Sequence, residues 1–291
     1  MIRKMYLAVI ALGVLSVSCS DDDDATLQIE TSELTLNLSD LDPLGDDFVY
    51  EGWIIVDGAP VSTGRFSDVT FPQTFQVLSS QLASATTFVL SIEPTVDPDP
   101  APAATKVLSG DFSGSSASVN SNLVADFSTA AGTFILATPT DMDDTNEESG
   151  VWFLDNASGS AVTGLNLPEL ADGWKYEGWA VIDGTPISTG TFTDASMADD
   201  NAATSPFKGD AGNGPGYPGE DYLQNAPAGF TFPTDLRGTT IVVSVEPSPD
   251  NSAAPFTLKP LLQDVAMDAA VLTSITMGVG PVQSLMGTVN R

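Results

Sequence analysis

The sequence predicts an all-β fold built as two tandem Ig-like antiparallel β-sandwich domains. Three observations carry that expectation. A nineteen-residue block occurs twice, since residues 50–68 read YEGWIIVDGAPVSTGRFSD and residues 176–194 read YEGWAVIDGTPISTGTFTD. Twelve of the nineteen positions are identical at an offset of 126. Gly, Pro, Ser, Thr and Asp are plentiful and long helix-forming runs are scarce, which is the look of short strands joined by many turns. A chain of 291 residues suggests about two domains, and a repeat of this length means two copies of one folding unit.

From the N-terminus, Arg3 and Lys4 precede an apolar run from Tyr6 to Val17. The run is shorter than the roughly 20 residues of a spanning helix and suits a secretory signal peptide over residues 1–18. It ends Leu15-Ser16-Val17-Ser18-Cys19, and Cys19 is the single cysteine of the chain. A small residue before a Cys resembles a bacterial lipobox, although Leu15 stands one position further upstream than the usual Leu. Cys19 has no disulfide partner and is the expected lipidation site, an anchor to the membrane. Residues 19–24 form an acidic tether in which Ser20, Asp21, Asp22, Asp23 and Asp24 resemble the export signal of surface-exposed outer-membrane lipoproteins. The expected location is the outer membrane, at the cell surface or on its periplasmic side.

The first unit is expected over residues 25–125 and the second over 126–291. Tyr50 to Val56 is rich in aromatic and β-branched residues and reads as a strand. Asp57-Gly58 and Asp183-Gly184 are two-residue turn signals, because Gly accepts positive φ. Val61 to Phe66 and Ile187 to Phe192 are the return strands. Pro60 and Pro186 cannot donate to a ladder and belong at a strand start, an edge or a bulge. Trp53 and Trp179 are expected as core anchors. Downstream, TTFVLSIEP (86–94) matches TTIVVSVEP (239–247), and Lys106 and Lys259 keep the same spacing.

The copies differ most in one connection. From Phe66 to Thr86 is 20 residues, but from Phe192 to Thr239 is 47. The second unit therefore carries a Gly/Pro/Asp-rich insertion at 197–232, and loops this long inside a domain are usually functional or disordered. Within it Phe207, Tyr217 and Tyr222 are candidate contacts for a protein or glycan ligand. Inside the repeated block, only Arg65 against Thr191 is a sharp exchange.

The repeated block resembles the C-terminal domain of anti-sigma-K factors. The residues are Leu167-Pro168, Tyr176, Trp179, Gly184, Gly190, Phe192 and Glu246-Pro247 in the second copy. The first copy has Tyr50, Trp53, Gly58, Gly64, Phe66 and Glu93-Pro94, with Leu38-Ser39 where the family has Leu-Pro. The resemblance implies an extracytoplasmic β-sandwich with a sensing or interaction role. Sigma-inhibiting members of that family carry a cytoplasmic domain and a transmembrane helix. The sequence shows neither, which argues against direct binding of a sigma factor.

The chemistry of the remaining residues narrows the function further. With 39 acidic and 9 basic residues and a formal charge of −30, binding of nucleic acid is not expected, since phosphate contacts need clustered Lys and Arg. The absence of His removes Ser-His-Asp triads and His-ligated zinc. Ser62 and Ser188 lie on strands without an expected activating base. Glu51 with Glu177, and Asp57 with Asp183, are split between the copies, so a carboxylate pair of the hydrolase kind is not expected from them. Glu51 and Glu177 are read as exposed or edge positions. Asp141, Asp143, Asp144, Glu147 and Glu148 crowd one loop and could hold calcium, although their spacing is not that of an EF-hand. No other cofactor is implied. The expectation is a non-enzymatic interaction lipoprotein. The alternatives are an extracytoplasmic accessory or sensor of a sigma/anti-sigma system and, from another class, a carboxylate-dependent hydrolase.

Overall fold

The computed structural model describes residues 29–250 and 252–291, and Cys19 with the acidic run 20–24 lies outside them. The first unit contains β1 (Thr31–Leu38), β2 (Phe48–Val56), β3 (Ala59–Phe66), β4 (Gln73–Leu78), a short helix α1 (Ser79–Ser84), β5 (Thr87–Pro94), β6 (Lys106–Ser113) and β7 (Ser116–Asn120). The second begins with β8 (Ala131–Leu136), β9 (Gly150–Trp152), β10 (Leu154–Asp155), β11 (Val162–Thr163), β12 (Leu165–Asn166), β13 (Trp174–Ile182) and β14 (Thr185–Phe192). It continues with β15 (Gly219–Asp221), β16 (Thr240–Pro247), β17 (Lys259–Asp264), β18 (Ile275–Thr276) and β19 (Gly278–Val282), and the last strand is β20 (Met286–Asn290). The strand pairings are antiparallel, so the expected all-β class holds.

Both hairpins form as their turn residues dictate. Asp57 and Gly58 have φ of 51° and 80°, and Asp183 and Gly184 have 49° and 79°. Two positive φ values in a two-residue loop are the geometry whose twist matches that of the strands it joins. Pro60 and Pro186 sit in β3 and β14, which are edge strands, where a missing N–H costs no ladder bond. A bulge follows Gly52 in the first hairpin and Gly178 in the second.

Period-two alternation gives each sheet an apolar inner face. Leu34, Leu36 and Leu38 of β1, Tyr50 and Ile54 of β2, and Phe88, Leu90 and Ile92 of β5 are buried together. Tyr50 stacks on Phe66 at 5.5 Å and donates its hydroxyl to the Asp42 carbonyl at 2.8 Å. Tyr176 repeats both contacts, stacking on Phe192 at 5.5 Å and donating to the Pro168 carbonyl at 2.6 Å. The buried apolar side chains of the two units join into one connected cluster, not two separate cores.

The sheet of the first unit runs β3-β2-β5-β6-β7-β20-β1-β4. Its end strands approach through Phe66 and Phe75, whose ring centroids are 5.7 Å apart, so the sheet curls toward closure. The second unit has a sheet ordered β14-β13-β16-β17-β19 facing a second one ordered β12-β8-β9-β15, with β18 paired to β8. Strand β20 does not stay with the unit that the repeat assigns it to. It pairs with β7 and with β1 and completes the first sheet, where Val289 is fully buried. Without β20, both β1 and β7 would face water along one edge, which is the liability a returning strand removes. The junction is tightened by Trp174, which donates its indole N–H to the Lys106 carbonyl at 3.2 Å, and by Ala171, whose N–H meets the Val124 carbonyl at 3.0 Å.

Candidate functional site

The outer face of the hairpin sheet carries the unexpected chemistry. Inner positions of β2 and β5 are apolar, so the alternate ones, Glu51, Trp53, Ser91 and Glu93, share the opposite face. The same pattern places Glu177, Trp179, Ser244 and Glu246 together on β13 and β16. These residues are buried in both copies. Reading Glu51 and Glu177 as exposed or edge positions is thus corrected. Strands β2 and β13 are interior strands of their sheets, and the loops after β5 and β16 fold back over this face. Trp53 and Trp179 are buried as expected, but on this face and outside the main apolar cluster.

Each copy builds the same relay. The Trp53 indole donates to Ser91 Oγ at 2.8 Å, and Ser91 donates to Glu93 Oε1. The Trp179 indole donates to Ser244 Oγ at 2.7 Å, and Ser244 donates to Glu246 Oε1. Ser62 Oγ donates to Glu51 Oε1 at 2.5 Å, and Ser188 donates likewise to Glu177. A backbone N–H closes each relay, from Ala103 to Glu93 at 2.8 Å and from Phe256 to Glu246 at 2.9 Å. Within each copy the two glutamates lie near enough to act on one another electrostatically, Glu51 on Glu93 and Glu177 on Glu246.

The copies part at one residue. In the first, Arg65 Nε donates to Glu51 Oε2 at 2.8 Å, its Nη2 lies 3.5 Å from Asp97 Oδ2, and it also donates to the Pro94 carbonyl at 2.9 Å. In the second, Thr191 stands at that position and gives its hydroxyl to Asp200 at 2.7 Å. Glu177, Glu246 and Asp250 each bring an oxygen to within 4.8 Å of the other two, the one such convergence of three acids among the described residues. Burial pushes the Glu177 carboxyl up to about 7, against the lowering effect of Ser188 and with a smaller upward push from Asp250. Burial likewise lifts Glu246 to about 8, with Glu177 and Asp250 adding to it.

Glu246 and Asp250 also face a cavity of about 410 Å³ between the two units. Its other walls include Asp42, Leu44 and Phe48 from the first unit and Phe256 from the second. The cavity is mostly apolar, with acids contributed by both units, a common make-up for a ligand pocket.

The insertion is less exposed than its composition suggests. Tyr222 is fully buried, donates its hydroxyl to the Ile187 carbonyl at 3.0 Å and packs against Phe207 and Phe232. As a surface contact it is corrected, because β15 pairs with β9 just before it and draws the chain inward. Phe207 is half-buried beside it. Tyr217 is half-buried against the small cluster around Trp152 and donates to the Ala161 carbonyl at 3.1 Å. Three insertion acids act as buried acceptors. Asp221 takes the Trp152 indole N–H at 2.6 Å and the Thr140 N–H at 2.8 Å, Glu220 takes the Ser205 hydroxyl, and Asp199 takes the Gly219 N–H at 3.0 Å.

The acids of the 141–148 loop spend their oxygens locally. Asp141 accepts from Asn146, Asp143 from Thr145, and Glu147 from the Thr138 N–H at 2.7 Å, while Glu148 lies 3.6 Å from Arg237. Asp144 is exposed. Sequence reasoning thus missed Glu93, Glu246, Asp97 and Asp250 as partners. The signals that could have found them were the repeated Ser-x-Glu-Pro and the Arg65/Thr191 exchange.

Comparison with known proteins matches the first copy to a family. No curated protein and no solved structure is matched. Residues 24–107 match the family described as anti-sigma-K factor rskA, C-terminal, so the resemblance carried by the hairpin residues holds at the family level for that segment of the chain.

Proposed function

We propose that this chain is an extracytoplasmic interaction protein of the envelope, tethered through Cys19, in which two rskA-type β units form one body and receive a partner at their junction. The observation that carries the reading is the cavity between the units, where Leu44, Phe48 and Phe256 supply apolar contact and Asp42, Glu246 and Asp250 supply acceptors. A partner that fits offers an apolar group beside hydroxyls or a positive charge, as a peptide or a glycan does. The net charge of −30 favours the same sign of partner. Filling the cavity by Ala254→Trp is the test. Capture of envelope components by the immobilised protein is expected to fall with melting temperature unchanged, and undiminished capture would remove the cavity from the account. The anchor has its own test, because fatty-acid labelling retained by Cys19→Ala would sink lipidation at that residue.

A second reading, an accessory or sensor of a sigma/anti-sigma system, is favoured by the family match over 24–107. Deleting the gene would then shift transcripts of one sigma-dependent set, and an unchanged transcript profile would count against it. The convergence of Glu177 and Glu246 also bears on the hydrolase reading, since two neighbouring carboxylates are what such chemistry uses. Glu177 is only 6% exposed and Glu246 only 1%, which leaves little face for a sugar ring and far more for a small ion.

A further inference from the structure

We propose that the slot between β1 and β7 of the first unit is a peptide-binding site for an extended strand of pattern Leu-x-Gly-x-Val-x-Arg. Residues 285–291 of the same chain fill it in this structure, and it takes the same segment from a second copy. The slot shares no lining residue with the cavity between the units.

Chain order sets β20 apart from the unit it completes. Both copies lay a strand beside their Leu-Asn-Leu segment. In the second copy that strand is β8, which belongs to the same unit. In the first it is β20, whose Met286 carbonyl accepts the Ser39 hydroxyl from 247 positions away. The family match covers residues 24–107, so β20 also lies outside the segment that defines the family. Only residues 283–285 connect it to β19.

The slot holds this strand by its backbone and by selected side chains. Residues 287–290 pair with β1 and residues 286–290 with β7. At one end the Leu285 carbonyl accepts the Ser121 N–H at 3.0 Å, and the Leu285 N–H meets Ser121 Oγ at 2.9 Å. At the other the Arg291 N–H meets the Ser115 carbonyl at 2.9 Å. A peptide that adds a strand to a sheet draws affinity from such main-chain bonds and specificity from pockets for particular side chains. Leu285 and Val289 are fully buried. Gly287 lies so close to β1 that a Cβ there would stand 2.5 Å from the Asn37 carbonyl oxygen.

The arginine subsite is the most selective part. Arg291 Nη1 donates to the Leu82 and Ala85 carbonyls at 2.7 and 2.6 Å. Its Nε and Nη2 donate to the Gly114 carbonyl at 3.2 and 3.1 Å, and the guanidinium carbon lies 4.4 Å from the centre of the Phe112 ring. Leu82 and Ala85 stand at the C-terminal end of α1, whose last turn has no basic residue of its own. Carbonyls at that end of a helix lack intrahelical partners and favour a cation. A planar fork that stacks on a ring while bonding carbonyls on two sides is an arginine property, which a lysine ammonium does not reproduce. Every acceptor is a main-chain carbonyl of the first unit, so the cradle is the same whichever copy supplies the strand. Exchange between identical chains re-forms each contact of the slot, which keeps its cost low.

The test uses the full-length chain with a protease-cleavable sequence inserted between Gln283 and Ser284. After cutting, residues 284–291 stay in place without a covalent link, and an excess of fluorescent peptide 284–291 should replace them, read as a rise in anisotropy. Peptides carrying Arg291→Ala or Gly287→Val should compete about tenfold or more less well, and Arg291→Lys should fall nearer to the alanine peptide than to the native one. Should the insertion prevent folding, the uncut Arg291→Ala chain serves instead, because its loosened strand should admit the labelled peptide faster than the wild type does. For the second copy, two differently tagged wild-type chains are mixed, partly unfolded in urea and returned to buffer at high concentration. They should co-purify, and excess peptide 284–291 during the return should suppress it. No peptide uptake by the cut chain or by Arg291→Ala, or uptake indifferent to Arg291 and Gly287, would overturn the site. Tagged chains that never co-purify would strike out the second copy as its source.

Discussion

The two copies of the hairpin sheet share a backbone, a Trp-Ser-Glu relay and a trio of acids, yet the first sets Arg65 against its acids where the second has Thr191. Arg65 spans Glu51 and Asp97, while Thr191 turns to Asp200 and leaves Glu177, Glu246 and Asp250 converging. The lesson is that a duplicated fold can keep a costly feature, buried acids, while changing one of the groups that face them. A second contrast runs alongside. The short connection after β3 is simple, whereas its counterpart after β14 holds a long insertion that buries Tyr222 and three carboxylates.

The largest expected effect probes that insertion. Tyr222→Ala removes a fully buried ring from between Phe207 and Phe232 and should cost about 3–5 kcal/mol in urea denaturation. A loss below about 1 kcal/mol would mean that the insertion is a loose appendage. It follows that removing residues 197–232 is not a clean functional deletion, because β15 and its buried acids would go with them.

Next is the counter-charge. Arg65→Thr in the absence of divalent ions leaves Glu51 buried without its guanidinium. Breaking a buried pair costs about 3–5 kcal/mol, and the half-exposed Arg65 side chain reduces the expected figure to about 2 kcal/mol. An unchanged unfolding midpoint in EDTA would show that the copies do not differ in the way described.

A pH series separates the insertion from the first unit. Burial pushes Glu220 up to about 8 and Asp221 to about 6. A carboxyl raised in the folded state holds its proton more tightly there than in the unfolded chain. It therefore contributes stability that is fully present below about pH 4.5 and is lost as pH rises through about 8. Unfolding midpoints should fall across that window, and Glu220→Gln should flatten the fall. The same slope in the variant would assign the titration to other groups.

The smallest effect tests the equivalence of the copies. Gly58 and Gly184 have φ of 80° and 79°, and a Cβ at either would meet nothing within 4 Å. Gly58→Ala and Gly184→Ala should each cost about 1 kcal/mol from backbone strain alone. Equal losses sharpen the comparison, and clearly unequal ones would break it.

Much of the fold was legible because its signals are local. The Asp-Gly pairs place the turns, the alternation of Tyr50, Gly52 and Ile54 assigns an inner face, and the edge prolines name β3 and β14. The site was half legible. The Arg65/Thr191 exchange stands out in the alignment of the copies, but its meaning needs Asp97 and Asp250, which come from loops thirty or more residues downstream. Exposure was the least legible property. A Gly/Pro-rich insertion looks open in sequence, yet three residues of it pair with β9 and carry Tyr222 inside.

By itself, then, the sequence determined the duplication, the hairpins and the alternation of faces along each strand, because turn chemistry and period-two alternation act over a few neighbours. Only the tertiary structure decided that β20 closes the first sheet, that Tyr222 is core and that three acids of the second copy converge. Each of those depends on segments far apart in the chain being brought together by sheet pairing and burial. No local pattern encodes which distant partner a carboxylate will find.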